Sequence, residues 1–345
     1  MLPLFVLSII LGAGGAYLIG RCGNRLGLSD YPSERSSHHH PTPKGGGIGI
    51  LLTFIIVCLN SSLPAAFWAP LLFVALLGLY GDRADLPPKI RLSIQFAVAL
   101  TLILGLKDLH QDWSLILIPF WAIYMVGTAN FYNFMDGING IAGVTGIAGF
   151  GLLLLFTVYS PGTNPFFPLA LSLCLSCMGF LPFNMPAPRV FMGDVGSILI
   201  GFVFPAIVFS ISKHLSDFVC LSSFLFPFYA DELTTMAVRI KKGEDLTQPH
   251  RRHLYQLLAN EKKIVHWKIS VGYGVIQFAI GITAILIRPF GVAFLLLLMG
   301  LYFLGFCLVS FRIRSGLETG LFTPQACGPS KERPNPCEAY PSVKG

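Results

Sequence analysis

The sequence predicts an all-α integral membrane protein, and three observations carry that expectation. Of the 345 residues 54% are hydrophobic and only 12% are charged, whereas soluble chains carry about a quarter charged residues. Apolar runs of about twenty residues recur along the chain, each long enough to cross a bilayer. The basic residues fall in alternate gaps between those runs, as the positive-inside rule requires. A large soluble core, a disordered chain and a disulfide scaffold are excluded. The net charge of +7 does not point to nucleic acid, because the basic residues lie in short gaps and not along one soluble face.

Taken in order, the apolar runs predict about eleven spans, near residues 1–20, 48–63, 65–80, 91–107, 113–130, 140–159, 166–184, 195–213, 218–236, 268–287 and 290–311. The first has no Lys or Arg before it, while Arg21 and Arg25 follow, the reverse of a cleavable signal peptide. Its N-terminus is therefore expected outside. With that start, 21 of the 24 Lys and Arg residues fall on the inner side. Only Lys107, Lys213 and Arg288 fall outside, and the C-terminus is expected in the cytoplasm. Residues 1–314 form the expected membrane domain, and the Pro-rich stretch 315–345 reads as a flexible cytoplasmic tail.

Cysteines offer little. Six of the eight lie in or beside apolar spans, and Cys327 and Cys337 lie in the tail, so no disulfides are expected. Cys174 and Cys177 have the spacing of a redox or metal pair, but they sit mid-span with no second pair nearby and read as small packing residues.

Polar residues are expensive in a membrane protein and mark where chemistry can occur. Here they gather on the inner side: Ser36 to Gly47 with Lys44 and three histidines, Gly81 to Asp85, Asn130 to Gly140, Phe191 to Ser197, and Arg239 to Lys268. Each has a bland reading alone, as a turn, a helix cap, a solvated run or a topology anchor. Their convergence on one side favours a site. The outer loops offer nothing comparable.

Asn130, Asn133 and Asp136 recur every three residues at the end of a span and on a helix share roughly one face, which Asn139 extends. With Asp82 and Asp194 from other inner ends they supply oxygens for a hard divalent cation. Mg2+ suits such a sparse set, since it keeps waters and binds one or two carboxylates plus substrate phosphates. Glycine amides, Lys44, Arg251 and Arg252 can hold phosphate oxygens. The chemistry expected is phosphoryl transfer at the inner leaflet.

At these residues the sequence resembles the polyprenyl-phosphate N-acetylhexosamine-1-phosphate transferase family, to which phospho-N-acetylmuramoyl-pentapeptide transferase is related. Its most specific parts are Asn130-x-x-Asn-x-x-Asp-Gly-x-Asn-Gly-Ile-Ala142 and Phe191-Met-Gly-Asp-Val-Gly-Ser197. The resemblance implies transfer of a sugar 1-phosphate from a UDP-N-acetylhexosamine to undecaprenyl phosphate in the bacterial inner membrane, releasing UMP and needing Mg2+, with Mn2+ as a substitute. It implies Asp194 and Asp136 as metal ligands, and Asn130 and Asn133 in the nucleotide and metal pocket. His250 to His253 resemble the family's histidine motif, and Lys44 is placed like a basic residue after its first span. The His-Arg-Arg-His form and Asn139 are similar to the branch that begins O-antigen synthesis, which favours an N-acetylated hexosamine over the muramoyl pentapeptide.

The catalytic set expected is Asp82, Asp136, Asp194, His250 and His253. The substrate-binding set is Lys44, Asn130, Asn133, Asn139, Arg251 and Arg252. Partners expected are the bilayer and the two substrates, with a homodimer left open. One departure stands out: the family usually shows two adjacent Asp residues where this chain has Gly81-Asp82. A lipid phosphate monoester, with a second pKa near 6, is mostly a dianion at neutral pH without a base, and Asp85 lies one helical turn from Asp82. A catalytically weakened binding homologue is therefore one alternative, and a multi-span transporter the other. Against the transporter, its polar groups should lie near mid-bilayer and not at inner ends.

Overall fold

The computed structural model describes residues 1–32, 40–84, 86–106, 115–160, 164–245 and 250–318. His38, His39, Asp85, Lys107, Cys327 and Cys337, singled out above, lie outside the described residues, as does the tail beyond 318. The chain is an all-α integral membrane protein. Its helices are α1 (Leu2–Cys22), α2 (Ile48–Leu59), α3 (Ala65–Gly81), α4 (Pro88–Gly105), α5 (Ile118–Met135), α6 (Ile141–Tyr159) and α7 (Phe167–Asn184). They continue as α8 (Asp194–Ile211), α9 (Leu215–Ser222), α10 (Phe226–Lys241), α11 (Leu254–Asn260), α12 (His266–Ile287) and α13 (Val292–Glu318). Two short antiparallel strands, β1 (Ser29–Asp30) and β2 (Thr42–Pro43), pair with Ser29 opposite Pro43 and Asp30 opposite Thr42.

Seven of the described helices are long and apolar enough to cross a membrane. Each of the eleven expected spans falls on a helical segment, but not all are full-length crossings. The 12 residues of α2 cover about 18 Å, well short of the roughly 30 Å hydrocarbon core. The run at 218–236 is not one helix, because a 3-10 turn (Ser223–Leu225) separates α9 from α10, and Pro227 at the start of α10 cannot continue the preceding ladder. Helix α5 runs from 118 to 135 and not from 113 to 130, so Asn130 and Asn133 lie in its last turns and Asp136 just past its end. Helix α13 extends to Glu318, past the boundary expected at 314.

Helix α8 is the centre of the bundle, 89% buried over its apolar window, whereas α13 is 6% buried and lies at the periphery. Small residues let backbones approach α8 closely, the usual device between membrane helices. A Cβ on Gly47 would stand 2.5 Å from Gly196 Cα, so the chain entering α2 crosses α8 backbone to backbone. Around this pair, α3 and α5 pack on α8, α1 and α2 pack on α7, and α6 carries α12.

At the end away from the polar motifs the bundle is tied by charge, which the expectation of bare outer loops missed. Arg288, after α12, pairs with the buried Asp217 of α9 at 2.6 Å and donates to Ser160 Oγ at 2.9 Å. Its guanidinium lies 4.6 Å from the Phe156 ring centre, a cation–π distance. The ends of α6, α9 and α12 are thereby joined.

Candidate active site

Several helix ends meet around one cavity of about 400 Å³. Helix α3 stops at Gly81 and delivers Asp82. Helix α4 starts at Pro88, where proline's fixed φ and missing N–H suit a first turn, and brings Arg91 and Gln95 to the wall. The end of α5 contributes Asn133, followed by Asp136, Gly137 and Asn139. The start of α8 contributes Asp194 and Ser197, and the β1–β2 hairpin contributes Asp30 and Lys44. Lys44 is held there by its own amide, which donates to Leu28 O at 2.8 Å.

The N-terminus of α8 has orphan amides, as every helix does. Its cap comes from another helix: Asp82 accepts from the Asp194 amide at 2.9 Å and from the Val195 amide at 3.1 Å. Gly193 makes this approach feasible, with φ of 75° and its Cβ direction 2.6 Å from both Asp82 Oδ2 and the Gly45 amide nitrogen. Any other residue there would meet both strain and collision. Burial pushes the Asp82 carboxyl up to about 7, and the Asp194 charge pushes the same way, against the two amides and Lys44.

Asp194 joins side chains of α4 and α5 across the cavity. Its Oδ2 pairs with Arg91 Nη1 at 3.1 Å, and its Oδ1 accepts from Asn133 Nδ2 at 2.8 Å. The same amide nitrogen reaches Ser197 Oγ at 2.9 Å. Asn130 turns away to donate to Gln95 Oε1 at 2.7 Å, so it acts behind the wall and not in it. Asp136 accepts no hydrogen bond from a described residue, and burial followed by the charges of Asp194 and Asp82 raises its carboxyl well above the usual range. Gly81 lines the cavity, and a Cβ there would stand 3.7 Å from Asp194 Oδ2, so the missing Asp leaves open space beside the central carboxylate.

Among the described residues no three His, Cys, Asp or Glu side chains can hold a metal ion by themselves. The donor chemistry nevertheless fits a hard cation that takes its remaining ligands from phosphate and water. Asp82, Asp136 and Asp194 bring three carboxylates to the same cavity as Lys44 and Arg91.

Six expected site residues therefore share one cavity: Lys44, Asp82, Asn133, Asp136, Asn139 and Asp194. His250, Arg251, Arg252 and His253 do not line it. His253 is 2% exposed, 3.4 Å from Glu232 Oε2, and its ring centre lies 4.7 Å from that of His250. Burial pushes the imidazole of His250 down to about 4 and that of His253 to about 3, nearby arginines acting in the same direction. Arg252 pairs with Glu244 at 2.8 Å. The segment meets the cavity instead through Gln256 of α11, whose Oε1 accepts from the His253 amide at 3.3 Å.

Sequence reasoning missed Arg91, Gln95, Asn184 and His266 in the wall, and the buried pair Asp231 and Glu232 behind it. Gln95, Asp231 and Glu232 carried a usable signal, since each interrupts an apolar run expected to span the membrane. Arg91 was visible only as one of many inner basic residues, because its partner lies 103 positions away.

The fold and the site together define a polytopic helical membrane protein with a carboxylate-rich cavity at its helix ends. The model of glycosyl transferase family 4 matches residues 64–212, which hold Asp82, Arg91, Asn133, Asp136 and Asp194. Over that stretch, 149 of the 345 residues, the chain is similar to that family. Among curated relatives, it is 28% identical to decaprenyl-phosphate N-acetylglucosaminephosphotransferase of Mycobacterium leprae, over 70% of this chain and 72% of the relative. It is 29% identical to undecaprenyl-phosphate alpha-N-acetylglucosaminyl 1-phosphate transferase of Thermotoga maritima, over 69% of this chain and 75% of that one. A probable undecaprenyl-phosphate N-acetylglucosaminyl 1-phosphate transferase of Bacillus subtilis is 25% identical, over 82% of this chain and 84% of its own.

Proposed function

We propose that the protein transfers an N-acetylhexosamine 1-phosphate from a UDP-sugar to undecaprenyl phosphate at the inner leaflet of a bacterial inner membrane, as the first step of O-antigen or another cell-surface polysaccharide. The observation that carries this reading is the meeting of Asp82, Asp136 and Asp194 with Lys44 and Arg91 in one cavity at the helix ends. The names of the relatives make UDP-N-acetylglucosamine the first donor to test. The positive-inside count supports a cytoplasmic face for the cavity.

An oxygen of the lipid phosphate attacks the β phosphorus of the donor. The bond from that phosphorus to the oxygen bridging to the α phosphorus breaks, and UMP leaves with the bridging oxygen. Little covalent work falls to the protein, so catalysis is positioning and charge stabilisation. Lys44 and Arg91 bind phosphate oxygens, Arg91 exchanging its pairing with Asp194 for the substrate. Asp82 keeps the first turn of α8, and with it Asp194, at the cavity edge. Asp194 and Asp136 would hold Mg2+, which when bound neutralises the diphosphate. His250 and His253, being neutral and outside the wall, support α11 and move no proton.

The test is UMP release by purified protein with undecaprenyl phosphate and a panel of UDP-N-acetylhexosamines, with and without Mg2+. We expect lipid- and metal-dependent release with one donor, reduced about 100-fold or more in Asp194→Asn, the scale of losing one aligned electrostatic group. Folded wild-type protein that releases no UMP from any donor would move the assignment to a binding homologue weakened at Gly81.

A further inference from the structure

A second buried carboxylate, outside the cavity, organises the elements that grip it. Asp231 on α10 is 0% exposed and accepts hydrogen bonds from three elements. The amides of Leu254 and Tyr255, at the start of α11, donate to it at 2.7 and 3.2 Å. The Tyr273 hydroxyl on α12 donates at 2.8 Å, and Thr235 on its own helix donates at 3.2 Å. A lone buried carboxylate costs many kcal/mol, so this set of donors is what allows it to sit there.

Both helices anchored on Asp231 go on to hold the turn that carries Asp136. From α11, the Tyr255 hydroxyl donates to Phe134 O at 3.0 Å, two residues before Asp136. The residue after Asp136 is Gly137, where a Cβ would collide with that hydroxyl, so the glycine is a condition of the contact. From α12, Ser270 Oγ donates to Asn139 O at 2.8 Å, and His266 Nδ1 accepts from the Asn139 amide at 3.5 Å. The 134–139 turn is thus held on one side by α11 and on the other by α12, and Asp231 joins the two.

We propose that Asp231 is a positioning residue, fixing the Asp136 turn against the cavity through Tyr255 on α11 and through α12. The inference rests on the transferase reading for its kinetic consequence, whereas its structural content is independent of it. Displacing a metal- or substrate-binding carboxylate by about 1 Å can cost up to about 100-fold in rate.

Two variants test it, Asp231→Asn and, in case that one fails to fold, Tyr255→Phe, which removes a single hydroxyl. Amide hydrogen exchange is followed across residues 134–140 and 254–255, together with UMP release against Mg2+ and against each substrate. We expect exchange across 134–140 about tenfold faster in folded Tyr255→Phe, with kcat down about tenfold, several-fold more Mg2+ needed for half-maximal rate, and the KM for lipid phosphate unchanged. Asp231→Asn is expected to add faster exchange at Leu254 and Tyr255. A folded Tyr255→Phe protein with wild-type exchange across 134–140, or with wild-type kcat and Mg2+ requirement, overturns the proposal. A wild-type protein that turns over no donor overturns the transferase reading alone, since the exchange comparison still decides whether Asp231 and Tyr255 hold the turn.

Discussion

Replacing Asp82 separates a residue that holds a helix from one that performs chemistry. Its two oxygens accept the first amides of α8 at 2.9 and 3.1 Å, and the residue is 3% exposed. A hydrogen bond to a charged group contributes about 1.5–3 kcal/mol. Asp82→Ala removes both and orphans both amides, a cost of about 3–6 kcal/mol on that scale. Asp82→Asn keeps one acceptor oxygen but turns an NH2 toward the second amide, so roughly half the cost remains. Thermal unfolding in detergent should rank wild type above Asn above Ala, and UMP release per folded molecule should fall in the same order as Asp194 loses its fixed place. An alanine variant that melts with the wild type would refute the cap. An asparagine variant as unstable as alanine would show that one retained acceptor counts for nothing, against the geometry.

Two further outcomes follow from groups away from the cavity. Arg288→Ala leaves the Asp217 carboxylate, 4% exposed, with only the Lys213 and His214 amides, both at 3.0 Å; we expect about 3 kcal/mol of destabilisation, the low end for breaking a buried pair because Arg288 is partly exposed, with UMP release per folded molecule unchanged. For pH, burial holds the folded His253 at about 3 against an unfolded value near 6.5, so its contribution is fully present above pH 6.5 and is lost as pH falls toward 3. Melting temperature measured from pH 7.5 down to 4.5 should therefore fall less steeply in His253→Asn than in the wild type, and equal slopes would contradict the neutral buried imidazole.

The membrane class was legible because a bilayer imposes length and polarity on each span, Asn133 and Asp136 because their spacing is local, and Asp194 because it stands in the Phe191–Ser197 motif. What the sequence hid was partnership at long range. Asp82 was placed in the catalytic set, and nothing near it in the chain indicates that its oxygens also meet amides 112 and 113 residues on. The His250 to His253 run was read as part of the site, yet the structure buries His253 behind it and sends Gln256 forward. Arg91 and Arg288 each looked like one more topology charge until folding supplied Asp194 and Asp217. Helix periodicity also misled at Asp136, where the row of polar residues leaves the helix just as it reaches the cavity.

The Arg288 tie bears on how such a bundle can move. An alternating-access carrier must part its helices at either face in turn, and here one face would first have to break a 2.6 Å ion pair and the bond to Ser160. Parting the helices at that face would therefore separate α12, α9 and α6 where Arg288 now links them.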